Sequence, residues 1–193
     1  MGLAAIVLSA GASSRMGQAK QLLMIENKPI IQHMFDAIES IEFELVCCVL
    51  GANSEKIAPV LSDQVQLVYN EHWSLGLSES IKAGIQYVLD MQDIDGVFLF
   101  LADQPFILTK DINNMLAIHS EYPDRCVATS YGNSPGVPAI LPRKYFSSLL
   151  NISGDKGAKS LLSQLSEEVV LYKHKGELID IDTIEDYRQA LSR

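Results

Sequence analysis

Residues 3–20 read LAAIVLSAGASSRMGQAK, an apolar run that changes abruptly into a loop of small residues. Leu3 to Leu8 are all apolar and include β-branched members, which is typical of a buried strand. In the loop that follows, glycine and alanine let the backbone approach a ligand, and consecutive N–H groups can converge on an anion. Arg15 and Lys20 add two positive charges. The stretch therefore predicts a strand and an anion-binding loop suited to a nucleoside triphosphate.

Strand-like and helix-like segments alternate along the rest of the chain. Strands are predicted at 44–50, 65–69, 96–102, 126–131, 136–141, 169–172 and 178–182. Seven helices are predicted. They start at Pro29, run from an Asn53 cap to Leu61, cover 77–89, run from a Thr109 cap to His119, cover 143–150, end at Leu165, and start at a Thr183–Asp186 capping box. This alternation indicates one α/β domain, residues 1–193, with a mostly parallel sheet.

Composition places the chain among ordinary globular proteins. It has 193 residues, 48% of them hydrophobic and 20% charged. The net charge of −9 argues against nucleic acid or an anionic membrane as a partner, and no run approaches the roughly 20 apolar residues of a membrane span. The three cysteines have neither metal-site nor disulfide spacing, so we expect reduced, buried thiols in a cytoplasmic protein.

Carboxylates stand in or at the ends of two predicted strands. Asp103 ends the most apolar strand, 96–102, and ligands of open α/β sheets bind beyond the carboxyl ends of strands. Mg²⁺ prefers such oxygen ligands alongside substrate phosphates, although an aspartate so close to a proline is also a common turn former. Asp180 and Asp182 share a face if 178–182 is a strand.

Two further segments can be interpreted either as ordinary structural elements or as parts of a binding or catalytic site. Ser78 and Ser80 lie at the amino end of the helix predicted at 77–89, where hydroxyls either cap N–H groups or meet a ligand; physics alone favours capping. Residues 132–136 match the Gly-x-Ser-x-Gly pattern of serine hydrolases. We reject that chemistry because Pro135 follows the serine and has no N–H for an oxyanion hole. This segment is predicted to be a turn.

The full loop string resembles a known family, although it fits no general phosphate-binding pattern. Residues 8–20 closely resemble the signature loop of the nucleotidyltransferases that act on molybdopterin, the MobA-like NTP transferases. Further matches are Leu-Ala-Asp-Gln-Pro at 101–105, Gly-Asp-Lys-Gly-Ala-Lys at 154–159 and Asp-Ile-Asp-Thr at 180–183. The resemblance implies a single-domain, Rossmann-like three-layer sandwich of the nucleotide-diphospho-sugar-transferase type. It also implies a nucleotide-binding half at about 1–105 and an acceptor-binding half at about 106–193.

The activity implied by the resemblance is that of a molybdenum cofactor cytidylyltransferase. Such an enzyme moves CMP from CTP to the terminal phosphate of a molybdopterin-type cofactor and releases pyrophosphate. In the family an Ala-Gly pair goes with CTP and Gly-Gly with GTP, so Ala10 favours the pyrimidine, while Ser9 departs from the usual alanine. The implied cofactor is Mg²⁺, with Mn²⁺ as a substitute. The implied partners are CTP, a phosphate-bearing pterin cofactor, and a molybdoenzyme or maturation chaperone.

The resemblance also assigns roles to individual residues. The implied catalytic residues are Arg15, Lys20 and Asp103, and the implied metal ligands are Asp103 and Asp182. The implied nucleotide contacts are Leu8, Ala10, Gly11, Ser13, Arg15, Lys20, Gly76, Ser78 and Ser80. The implied acceptor contacts are Gly136, Pro138, Gly154, Asp155, Lys156 and Gly157.

Other functions stay open at this point. A related transferase could use GTP, or a sugar or polyol phosphate as the acceptor. Some relatives in the family are assigned to NAD(P)H-dependent heterocycle reduction, although this sequence has no dinucleotide fingerprint. A non-catalytic cofactor-handover protein would keep the loop but would not catalyse nucleotidyl transfer.

Overall fold

A seven-stranded sheet organises the computed structural model, which describes residues 2–176 and 178–192 and, within them, all side chains except that of Lys156. The strands are β1 (Leu3–Ser9), β2 (Met24–Ile25), β3 (Lys28–Pro29), β4 (Leu45–Leu50), β5 (Gln66–Tyr69), β6 (Gly96–Leu101), β7 (Cys126–Tyr131), β8 (Ser134–Pro142) and β9 (Val169–Tyr172). The helices are α1 (Ile30–Glu39), α2 (Ser54–Ile57), α3 (Leu77–Leu89), α4 (Thr109–Glu121), α5 (Phe146–Leu150), α6 (Gly157–Gln164) and α7 (Ile184–Leu191). Within the described ranges, every helix is too short or too polar to cross a lipid bilayer.

The strand order creates a crevice beside β1. The large sheet has the order β5-β4-β1-β6-β8-β7-β9, and β2 pairs only with β3. β1 is parallel to β4 on one side and to β6 on the other. The chain winds outward from β1 through β4 to β5 and then returns to β6, so the winding direction reverses between β1 and β6. Such a reversal opens a binding crevice at the carboxyl ends of the two strands.

Helices cover both faces of the sheet, which confirms the predicted three-layer α/β sandwich. Every residue of β1 is buried, and this accounts for its continuous apolar run. Successive β1 side chains enter opposite layers. Ile6 belongs to the same core as Ile85 of α3. Val7 belongs to the core on the other face, together with Met34 of α1.

One strand runs against the direction of the others. β8 is antiparallel to both β6 and β7, so the sheet is mostly parallel, as predicted. A tight turn joins β7 to β8, with Tyr131 opposite Ser134. Gly132 in this turn has a φ of +65°, a left-handed conformation that glycine adopts without steric cost. Residues 132–136 therefore form a hairpin turn and the start of β8, which begins two residues before the predicted strand.

The prediction of a strand at residues 178–182 is wrong. The N–H of Ile181 donates to the carbonyl oxygen of Asp103 at 3.1 Å, just beyond the end of β6. The Ile181 side chain is fully buried in a small core with Ile25 and Ile30. Because tertiary contacts at the sheet's carboxyl edge hold the segment, it does not pair along a neighbouring strand.

Two of the predicted side-chain caps do not form. Thr109 is the first residue of α4, and its Oγ1 donates to the carbonyl oxygen of Ala37 at 2.9 Å. Asn53 precedes α2 but makes no side-chain capping bond. Thr183 does cap α7, because its side chain accepts a hydrogen bond from the N–H of Asp186. The Thr109 prediction failed because the hydroxyl found a long-range partner that local spacing does not reveal.

The three cysteine thiols are predicted to resist alkylation in the folded protein. Cys47, Cys48 and Cys126 are free and buried. Burial raises the pKa of Cys47 and of Cys126 to about 12, and it also raises that of Cys48. Near pH 8 almost no reactive thiolate is therefore present. Mass spectrometry after iodoacetamide treatment should find unmodified native protein and three modified thiols in urea. Rapid modification of the native protein would contradict this placement.

Candidate functional site

A cleft of about 560 Å³ lies at the carboxyl ends of β1 and β6. Its walls are the loop after β1, the segment before α3 with the first turn of that helix, the end of β6, and the segment around 180–182. These segments are far apart in sequence. They converge because parallel strands bring their carboxyl ends to one edge of the sheet.

A buried glutamine holds the loop after β1. Gln21 is only 2% exposed, and its Nε2 donates to the carbonyl oxygen of Gly11 at 3.5 Å. Its Oε1 accepts from the hydroxyl of Ser13 at 3.3 Å, and that hydroxyl accepts from the N–H of Lys20 at 3.2 Å. Both ends of the loop are thus tied to one amide side chain. Sequence reasoning missed Gln21, although its position directly after Lys20 was an available signal.

Lys20 lies between two carboxylates. Its Nζ is 2.6 Å from Asp103 Oδ2 and 2.6 Å from Asp182 Oδ1. Loss of solvent lowers the pKa of the Lys20 ammonium, but the charges and hydrogen bonds of the two carboxylates outweigh that loss, so its pKa lies above the ordinary 10.5. These ion pairs therefore favour the folded state below pH 10.5, and this contribution is lost only as the pH rises through the raised pKa.

Arg15 reaches the same group of charges from the solvent side. Its Nη1 is 3.7 Å from Asp182 Oδ2, and its side chain is 72% exposed. An exposed ion pair of this kind contributes little to stability. Arg15 can consequently turn toward an anionic ligand at little cost.

The carboxylates of Asp103 and Asp182 fit a divalent metal. Asp103 Oδ1 is buried and has no hydrogen-bond partner in the part of the chain that the structure describes. Two hard oxygen donors at a phosphate site are the ligands that Mg²⁺ and Mn²⁺ take. Among the described residues no group of three or more His, Cys, Asp or Glu side chains is placed to hold a metal ion. Water and substrate phosphates would therefore complete the coordination, as is usual for Mg²⁺.

A third carboxylate, Asp180, faces the cleft from the same segment. Its Oδ1 accepts from Gln104 Nε2 at 2.7 Å, and the same amide nitrogen donates to the Tyr131 hydroxyl at 2.7 Å. Asp180 is exposed, yet partial loss of solvation and the charges of Asp103 and Asp182 raise its pKa, against the hydrogen bond from Gln104, which lowers it. Gln104 lies within the motif at 101–105, but sequence reasoning gave it no role.

The predicted base-contacting residues separate into two groups. Gly76 and Ser80 line the cleft, and Ser80 Oγ accepts from Asn70 Nδ2 at 3.1 Å. Ser78 is fully buried and is not part of the cleft wall. Gly76 has a φ of +114°, and a Cβ there would lie 2.6 Å from Asp155 Oδ1. Glycine is therefore required where the segment at 154–157 packs against the cleft.

The predicted acceptor-binding residues do not all line the same space. Gly136 lines a smaller pocket of about 200 Å³ that shares Leu8, Leu77, Leu101 and Asp180 with the cleft. Asp155 lines the cleft itself, and Gly154 and Gly157 pack against Gly76 and Leu77. Pro138 is buried in β8 and lines neither space. The side chain of Lys156 lies outside the described part of the structure.

The charges of the cleft are suited to a polyphosphate and a divalent cation. The remaining predicted nucleotide contacts, Leu8, Ala10, Gly11, Ser13, Arg15 and Lys20, all line it together with Asp103 and Asp182. Two cationic side chains and a glycine-containing loop can bind phosphate oxygens, and two carboxylates could hold a divalent metal beside them. The smaller pocket of about 200 Å³ adjoins this cleft.

Comparison with known proteins agrees with this chemistry. The family model described as "MobA-like NTP transferase domain" matches residues 5–169. A Bacillus subtilis protein named purine catabolism protein PucB is 30% identical over 209 aligned residues, covering 98% of each chain.

Two solved structures have the same fold. One is a manganese complex of Rv0371C from Mycobacterium tuberculosis, with a TM-score of 0.84, 23% identity, and coverage of 100% of this chain and 99% of that one. The other is a nucleotidyl transferase, Mth528, from Methanothermobacter thermautotroptrophicus, with a TM-score of 0.83, 21% identity, and coverage of 99% and 96%. At these identities the likeness concerns the fold alone.

Proposed function

The chain belongs to the MobA-like NTP transferase family, and we propose that it moves CMP from CTP to the terminal phosphate of a molybdopterin-type cofactor, releasing pyrophosphate. Nucleotidyl transfer is the activity of the family, whereas the cytidine and the pterin are specific to this proposal. The observation that carries it is the placement of Lys20 between Asp103 and Asp182 in the cleft beside β1.

The proposed reaction is an in-line displacement at phosphorus. An ionised phosphate oxygen of the acceptor forms a bond to the α-phosphorus of CTP, and the bond from that phosphorus to the bridging oxygen of the β-phosphate breaks. The electron pair leaves with pyrophosphate, so no protein nucleophile is needed. Catalysis then consists of positioning two anions and neutralising their charge.

Different residues of the cleft position the substrates and neutralise their charge. Lys20 and Arg15 bind oxygens of the triphosphate and reduce its repulsion from the incoming phosphate. Asp103 and Asp182 would hold the divalent metal, which when bound would supply further positive charge to the phosphates. Mg²⁺ is the proposed metal, and the manganese in the Rv0371C structure supports a divalent ion for that relative. Gln21 keeps the loop in place for these contacts.

The choice of substrates rests on two features beside the charges. Ala10 is 4% exposed and lines the cleft at the start of the loop, and the family resemblance associates an Ala-Gly pair at this place with CTP. The smaller pocket provides Leu8, Leu77 and Tyr131 for the ring of the acceptor, with Gly136 on its wall. We propose that a molybdoenzyme or its maturation chaperone receives the product. The name of the Bacillus relative places that protein in purine catabolism without specifying an acceptor.

Calorimetric titration with CTP, GTP, ATP and NADPH, each with Mg²⁺, tests the nucleotide assignment. We expect CTP to bind at least about tenfold more tightly than the others, because the family resemblance associates the Ala10–Gly11 pair with cytidine. Removing the metal with a chelator should weaken CTP binding. A preference for GTP would assign the chain to guanylyl transfer. Binding of NADPH alone would favour heterocycle reduction and contradict the proposal.

A further inference from the structure

An aromatic side chain lines the polar cleft. Trp73 begins a short 3₁₀ turn, Trp73–Leu75, between β5 and α3, and its side chain is 36% exposed. It is the only tryptophan in the chain. Within the described ranges no protein group bonds to its indole N–H, and no cation stacks on its ring. Trp73 therefore offers a ring face and a donor that the protein does not use.

The position of Trp73 is fixed by two small residues. A Cβ built on Gly51 would lie 2.6 Å from Trp73 Cβ and 2.9 Å from Ala10 Cβ. The three residues thus meet at one point, and the lack of a side chain at Gly51 lets Trp73 pack there. The N–H of Ala52 also donates to the carbonyl oxygen of Ala10 at 3.0 Å, which ties this corner to the start of the loop. Trp73 lies beside Ala10, the residue on which the proposed choice of base depends.

We propose that Trp73 forms a stacking face for the base of the bound nucleotide, and that Gly51 is small so that the indole can occupy this place. The inference rests on the proposed nucleotidyltransferase function and adds a base-binding residue to it. The phosphate-binding side chains Arg15 and Lys20 do not distinguish one base from another. An indole beside Ala10 supplies a contact that inorganic phosphates cannot make. Stacking on an aromatic ring typically strengthens binding of a base by about five- to a hundredfold.

Intrinsic fluorescence tests this directly because Trp73 is the only tryptophan. The protein is titrated with CTP and, separately, with inorganic tripolyphosphate, each with Mg²⁺ and with correction for nucleotide absorbance. CTP should quench or shift the emission. Tripolyphosphate, which fills the phosphate site without a base, should bind by calorimetry and leave the emission nearly unchanged.

Three variants separate stacking from a general effect on the fold. Trp73→Leu should bind CTP about tenfold more weakly while keeping its affinity for tripolyphosphate. Trp73→Phe keeps an aromatic face and should recover most of the CTP affinity. Leu75→Ala is the matched control, because Leu75 lies in the same turn, is 66% exposed, and does not line the cleft. Its affinities should equal those of the wild type.

The outcomes distinguish this inference from the function on which it rests. CTP binding with unchanged emission, together with wild-type affinity in Trp73→Leu, would overturn the stacking role and leave the nucleotide site standing. Equal loss of CTP and tripolyphosphate affinity in Trp73→Leu would also overturn it, since the effect would then be structural. Failure of the wild-type protein to bind either ligand would overturn the inference and the proposed function together.

Discussion

Lys20→Ala is expected to lower nucleotidyl transfer by about a hundredfold or more, since removing one preorganised charge from a developing phosphoryl transition state commonly has this cost. In the structure the Lys20 ammonium is held by Asp103 and Asp182, and its raised pKa keeps it charged throughout the neutral range. Alanine removes that charge and leaves the two carboxylates facing one another. The triphosphate then lacks the cationic side chain that the two carboxylates hold in position.

The rate is measured as pyrophosphate release from CTP in the presence of Mg²⁺ and the pterin acceptor. Lys28→Ala is the matched control, because Lys28 pairs with Asp36 on the surface outside the cleft. That control should transfer at the wild-type rate. Circular dichroism shows whether Lys20→Ala is folded. A folded Lys20→Ala protein with wild-type transfer would show that the loop does not bind the triphosphate as proposed.

Asp103→Asn is expected to lower transfer to a similar extent and to weaken Mn²⁺ binding. The substitution keeps the size of the side chain but removes the charge that both Lys20 and the proposed metal require. Binding of Mn²⁺ is followed by electron paramagnetic resonance, with and without CTP, so the result does not depend on turnover. Asp63→Asn, an exposed carboxylate away from the cleft, is the control and should bind Mn²⁺ like the wild type.

Unchanged Mn²⁺ affinity in Asp103→Asn would place the metal elsewhere. If transfer were lost but Mn²⁺ binding retained, Asp103 would act through Lys20 alone, as its positioning partner. The combined measurement therefore separates the two roles that the 2.6 Å contact between Lys20 and Asp103 allows.

The sequence was sufficient to predict the α/β class and the location of the cleft. Both follow from local signals: the apolar run of β1, the small-residue loop after it, and the carboxylate at the end of β6. Short-range patterns of this kind determine where a strand ends, and parallel pairing then brings these ends together. The motifs also predicted that Lys20 and Asp103 belong to one site, and the structure places them in one cleft, although the sequence did not reveal their direct ion pair.

The features that sequence reasoning missed depend on long-range contacts. Gln104 meets Asp180 and Tyr131 only after three separate segments have folded together. The strand expected at 178–182 had suitable residues, but Ile181 is held by the carbonyl of Asp103 and by a small core. No periodic pattern in the sequence predicts that Trp73 packs against Gly51. Tertiary context decided each of these cases.

The proposed activity is the transfer of CMP, which contains the α-phosphate of CTP, to a pterin phosphate. The most direct measurement uses CTP with a radioactive α-phosphate, Mg²⁺ and a molybdopterin-type acceptor, and separates the products by chromatography. We predict label in the pterin product, an equal amount of unlabelled pyrophosphate, and loss of both in Asp103→Asn. Label that remains in CTP, or that is released as free CMP regardless of the acceptor, would contradict the account.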